Sequence, residues 1–296
     1  LFDRNSPLAL RHAALPTLAP WLLRFARQSL PGAARRNAAA IAALTASAAR
    51  GWEDLASAIG GAAILQRRGC LYVYETAKAH AAAEADMAFR RGLGVNVELI
   101  DAAALAAMEP ALPAVEGGGA FFPDAIFLSD PGRMMGHLAA ACAAAGVQHL
   151  RARADRLERL VDGVVIQSET HRLHARRVVI AAGAHSRGLA AQAGDRIPLD
   201  TERGYHVEWD MAAPLLSRPS CPTARGFYFC PMAGRLRVAG TVEFARRTEA
   251  PDWRRAEVLA RRAGRLFRAP VTAAGDQAAT RWRGCRPTLP DFLPAI

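Results

Sequence analysis

Residues 178–186, VVIAAGAHS, constrain the fold more than any other part of this 296-residue chain. Five apolar residues in a row lack the alternation of a half-solvated strand. They read as a strand buried on both faces, the kind found in a parallel sheet layered between helices. Gly183 then allows the backbone to turn close to whatever occupies the end of that sheet. A dinucleotide suits such an approach, and a tight strand-to-helix turn without a ligand would use glycine equally.

The preceding stretch supports an α/β unit. Asp130 is placed to cap a helix whose first turn holds Pro131, with Met134, Met135, Leu138 and Cys142 at helical spacing up to Gly146. Strands are predicted at 147–150 and 177–183. Between them lie strand-like pieces at 156–160, 164–167 and 171–174, two of them joined by the turn pair Asp162-Gly163.

Either side of this unit the pattern differs. Residues 16–49 read as helices interrupted at Pro31-Gly32, residues 64–74 as a hairpin, and 76–91 as a helix. Asp101 is placed to cap an alanine-rich helix, and Gly117-Gly118-Gly119 is expected to turn into Ala120-Phe121-Phe122. Short alternating segments at 206–209, 227–229 and 236–240 predict an antiparallel sheet, followed by a helix over 252–267. The two kinds of segment interleave. The expected division is 1–60 and 281–296 as outlying parts of the α/β domain, 129–200 as its main body, and 61–128 with 201–280 as an antiparallel-sheet domain.

Composition narrows the class. A hydrophobic fraction of 51% with 22% charged residues belongs to a folded globular protein rather than a disordered or collagenous one. The net charge of +11 rests on 37 arginines and the single lysine Lys78, and with 66 alanines this points to coding bias. The arginines lie in scattered pairs without a basic block, so no nucleic-acid partner is expected, while contact with an anionic membrane surface remains open. Five cysteines without a CxxC spacing argue against a disulfide framework or a zinc site and for a reducing, cytoplasmic compartment. No metal site and no spanning apolar helix is predicted.

Seven segments in order, LFDRN (1–5), LPTLAPWLLRF (15–25), FFPDAIFLSDPGRMM (121–135), VVIAAGAHS, RGYHV (203–207), RLRVAGTVEF (235–244) and WRGCRPTLPDFLPAI (282–296), resemble the FAD-dependent D-amino acid dehydrogenases of the D-amino acid oxidase, glycine oxidase and sarcosine oxidase superfamily. The resemblance implies a two-domain α/β protein: a Rossmann-like FAD-binding domain interleaved with an antiparallel-sheet substrate domain. It places a GxGxxG unit ahead of Leu1, a flavin-contacting segment after Asn5 and a further glycine after Ile296, so a fragment of a longer chain is expected.

For the cofactor, the resemblance implies Asp3 at the adenosine ribose, Ala154 near the adenine, and Ala182 and Gly183 at the close approach to FAD. For the substrate it implies Arg286 as the partner of the carboxylate, and a guanidinium fork suits that task better than an ammonium. Tyr205 and His206 are expected either to line the pocket or to be structural. No side chain is expected to act as a catalytic base. The implied reaction takes a D-amino acid to its 2-oxo acid and ammonia, with electrons passed to a quinone or other carrier and a peripheral place on the inner membrane face. The rivals are an oxidase or dehydrogenase of glycine, sarcosine, proline or hydroxyproline, and a non-enzymatic protein that keeps the fold.

Overall fold

The computed structural model describes residues 6, 8–264, 266 and 280–295. Strand β1 (Leu8–Leu10) leads into helices α1 (Leu15–Gln28), α2 (Pro31–Thr45) and α3 (Ala48–Ala58), and Pro31 at the start of α2 makes the break after Ser29. Next come β2 (Leu65–Gln66), β3 (Cys70–Tyr74), α4 (Ala77–Gly92), β4 (Glu98–Ile100), α5 (Ala102–Met108), β5 (Gly118–Phe122), β6 (Phe127–Leu128) and α6 (Pro131–Ala144). Asp101 caps α5 through the Ala104 amide at 2.8 Å, and Asp130 caps α6 through the Arg133 amide at 3.1 Å.

A small meander, β7 (Arg156–Arg159), β8 (Val164–Gln167) and β9 (Arg172–Ala175), precedes α7 (Ser186–Gln192). Then follow β10 (Asp200–Asp210), β11 (Ser220–Pro222), β12 (Phe227–Met232), β13 (Arg235–Phe244), α8 (Arg254–Gly264) and β14 (Thr280–Thr288). The main sheet runs β14-β10-β13-β12-β11-β3-β5-β4, with β1 parallel to the end of β13. Only β11 with β3 and β1 with β13 pair in parallel; the rest is antiparallel.

Alternation along the strands sends two sets of side chains to opposite sides. On one side Tyr205, Val207, Trp209, Phe227, Phe229, Leu236 and Val238 bury against Ala256, Leu259 and Ala263 of α8, and Leu71 and Val73 against Leu105 of α5. On the other side α4 covers β3 and β5 through Ala83 and Met87, and α1 covers Phe244 through Leu18 and Trp21.

Four expectations are corrected. Residues 147–150 and 177–182 form no strand, and Val147 and Val179 stand 58% and 88% exposed. A parallel strand exists only through its neighbours, and none of the described strands flanks these two. The predicted hairpin at 64–74 does not close, because β2 pairs with β6 while β3 joins the main sheet. The triple glycine is not a turn: Gly118 and Gly119 lie in β5, where a Cβ would strike the Ile100 and Tyr72 carbonyls, so close backbone approach is the reason for glycine. Finally, 281–296 was expected with the dinucleotide domain, yet through Thr288 it forms the edge strand of the main sheet beside β10.

Candidate active site

The face of β10 turned away from α8 carries Glu202, Gly204, His206 and Glu208, and strand register extends it sideways. His206 stands opposite Trp282 of β14 and Ala239 of β13, and Ala239 stands opposite Tyr228 of β12. Directly paired residues share a face, so Tyr228, Ala239, His206 and Trp282 form one row. In the same way Glu208 pairs with Arg237, Gly204 with Gly284, and Glu202 with Arg286. Along β12 and β13 the residues of this face, such as Tyr228, Arg237 and Ala239, are half-buried, while those between them are buried. Between the patches covered by α4 and α1, Trp282 and Arg286 of this face are exposed, while Glu202, Gly204 and Glu208 are buried.

Arg286 is exposed, and among the described residues no carboxylate lies within ion-pairing distance of it. Its guanidinium lies over Gly204, where a methyl group would come within 2.6 Å of Cζ. The Trp282 indole similarly lies over Gly284, with Cζ3 2.6 Å from where a Cβ would stand. The indole stacks on the His206 imidazole at 4.7 Å and 12°. Across the row the Tyr228 and Tyr72 hydroxyls are hydrogen-bonded at 3.1 Å, and Arg90 of α4 lies 5.8 Å above the Tyr72 ring.

Burial governs the ionisation of this face. It lowers the His206 pKa to about 4, with the Arg237 charge acting in the same direction and Glu208 opposing, so the imidazole is neutral near pH 7. Burial raises the Glu202 carboxyl, against the pull of the Arg286 charge. It also raises the Tyr228 phenol, and pushes the Cys70 thiol up to about 12 and the Cys221 and Cys230 thiols up to about 11. None of these thiols supplies a thiolate nucleophile near neutrality.

Of the residues singled out in the sequence, Arg286 and His206 meet on this face. Tyr205 does not: it is the neighbour of His206 on a strand and therefore points the other way. Its hydroxyl donates to Glu243 at 2.6 Å and accepts from the Asp252 amide at 3.0 Å, inside the core. Gly183, with φ of 55°, opens a short 3-10 turn (Gly183–His185) that lies against β14, and Ala182 precedes it. Ala154 is exposed in the segment before β7. Asp3 lies outside the described residues. Sequence reasoning missed Tyr72, Tyr228, Trp282 and Glu202, although the alternation in Leu71-Tyr72-Val73 and Phe227-Tyr228-Phe229 already sets each tyrosine apart from its buried neighbours.

Two half-open pockets lie elsewhere. One of about 490 Å³ sits on the α5 and α8 side by Val73, Leu112 and Phe229; another of about 520 Å³ lies at the α1–α2 junction among Arg24, Arg27 and Arg36. Neither includes Arg286.

Comparison with known proteins assigns the class. Residues 12–296 match the DAO family of FAD-dependent oxidoreductases, and the chain belongs to that family. It is 31% identical over 301 residues to a D-amino-acid oxidase of Bradyrhizobium diazoefficiens, covering all of this chain and 70% of that protein. It is 33% identical over 300 residues to a D-amino acid dehydrogenase of Paramagnetospirillum magneticum, covering 95% of this chain and 67% of that one. Glycine oxidase from Geobacillus kaustophilus shares the fold with a TM-score of 0.68 at 26% identity, over 83% of this chain and 67% of its own. Glycine oxidase from Bacillus cereus gives 0.70 at 16% identity, over 90% and 72%.

The protein is thus an FAD-dependent oxidoreductase acting on amino-acid-like compounds, with a Rossmann-like FAD-binding region and an antiparallel sheet domain. One observation here fits the cofactor: Gly183 has a left-handed backbone with nothing within 4 Å of a Cβ position, which leaves the main chain open to close approach.

Proposed function

We propose that the protein oxidises the Cα–N bond of a D-amino acid, yielding an imino acid that water converts to the 2-oxo acid and ammonia, with the electrons leaving to a quinone or other carrier. The observation that carries this reading is Arg286, an exposed guanidinium with no ion pair among the described residues, laid over Gly204 and influencing the Glu202 carboxyl only from beyond ion-pairing distance. Its parallel N–H donors match a carboxylate and would fix the substrate beside the Gly183 turn, which lies against the same strand. FAD supplies the acceptor for two electrons. Ala182 and Gly183 would meet it, with Asp3 and Ala154 at its adenosine end.

The substrate enters with a neutral amine, so no protein base is required. Oxygen as acceptor is the second reading, favoured by the likeness to the Bradyrhizobium oxidase along the whole chain. The positive charge suits a peripheral place on anionic lipid.

Substitution of Arg286 in the FAD-loaded protein tests the reading. Arg286→Ala lowers the second-order rate of flavin reduction by a D-amino acid at least about tenfold, corresponding to one lost charge-assisted bond, and Arg286→Lys is intermediate. The decarboxylated amine shows no such loss. Equal rates in wild type and Arg286→Ala would remove the arginine from the site. Reoxidation by a quinone analogue against oxygen then separates the two acceptors.

A further inference from the structure

The geometry points to the stacked pair Trp282–His206 as the wall that receives the substrate side chain, selecting an aromatic or large apolar amino acid. This deepens the reading of Arg286 as the carboxylate anchor and rests on it.

Trp282, Gly284 and Arg286 alternate onto one face of β14, about 13 Å from the first Cα to the last. Both large side chains fold inward, the indole over Gly284 and the guanidinium over Gly204. Gly204 and Gly284 are direct partners with no side chains of their own, and this lets the guanidinium and the indole settle low over the strand pair. The indole is 52% exposed although one of its faces is already stacked on His206. A flat apolar surface left open beside a carboxylate-binding fork is a platform for a ring.

The far wall agrees. Tyr228 lies two strands from His206 on the side away from Trp282, roughly 10 Å across Ala239, and the Ala239 methyl leaves a trough of about the thickness of a ring with its contacts between the tyrosine and the Trp282-backed imidazole. The imidazole facing this trough is uncharged near pH 7. The acid at its end, Glu208, is already held by Arg237 at 2.6 Å and Arg235 at 3.2 Å, so it offers no free carboxylate to a basic side chain. Those two arginines make an acidic side chain the competing choice.

Binding of amine-free carboxylates separates the possibilities, followed by calorimetry on the FAD-loaded protein with phenylacetate, succinate and acetate. Phenylacetate binds at least about tenfold tighter than acetate, as expected for burying a ring, and tighter than succinate. Trp282→Ala collapses the phenylacetate-to-acetate ratio toward one, and Trp282→Phe restores most of it, a pattern that a merely structural tryptophan would not give. In turnover the same variant raises KM for D-phenylalanine more than it changes kcat. Equal binding of phenylacetate and acetate, tighter succinate, or a ratio untouched by Trp282→Ala overturns the inference while leaving Arg286 in place. Loss of discrimination between carboxylate and amide probes in the wild type would instead remove the anchor itself.

Discussion

Gly204 and Gly284 stand directly opposite each other on adjacent strands, and the side chains two residues away, Arg286 and Trp282, fill the space that neither glycine occupies. The first prediction follows from that overlap. Gly204→Ala pushes the guanidinium, the far end of a flexible side chain, off its resting place without disturbing the backbone. Carboxylate affinity falls by roughly three- to tenfold, part of a charge-assisted bond, while the thermal midpoint changes little. Titration with acetate alongside a melting curve checks both.

The second concerns acid. In the unfolded chain His206 takes up its proton near pH 6.5, whereas in the fold burial delays this to about 4. Above pH 6.5 both states are neutral and nothing is lost. Between about 6.5 and 4 the unfolded state binds a proton that the folded state refuses, so stability declines as pH falls, by up to about 3 kcal/mol from this group. His206→Phe removes that slope. Urea midpoints at pH 7 and pH 4.5 should differ less in the variant than in the wild type.

The third separates Tyr205 from the site. Burial alone would raise the Glu243 carboxyl, but bonds from Tyr205, Arg11 and Arg203 hold it below its ordinary range. Arg203 is fully buried and reaches Glu243 through Nη2 at 2.6 Å. Glu243→Gln leaves that guanidinium uncompensated and destabilises by about 3 to 5 kcal/mol. Tyr205→Phe loses one bond to a charged group, about 1.5 to 3 kcal/mol, with carboxylate binding unaltered. A Tyr205→Phe variant that melts normally but binds substrate poorly would return the residue to the pocket.

Legibility in the sequence tracks the range of each interaction. The caps at Asp101 and Asp130 could be read because a cap involves only the next turn of chain. Arg286 was found through a family motif. The alternation that separates Tyr205 from His206 was equally local and went unused. What could not be read was pairing over long range: β11 joins β3 across some 150 residues, and the apolar run 178–182, so strand-like by itself, has no described neighbour to make it one. Trp282 gave no sign of its role, since only the register of β14 against β10 brings it to His206.

β10 serves two masters on alternate residues: odd positions tie the sheet to α8 and Glu243, and even positions lie on the opposite face with Arg286 and Trp282. A single inserted or deleted residue would exchange the two sets, turning Glu202 and His206 toward the α8 core and Arg203 and Tyr205 toward the opposite face. Descendants of this chain can therefore explore new substrates by point substitution at even positions, but not by changing the length of the strand.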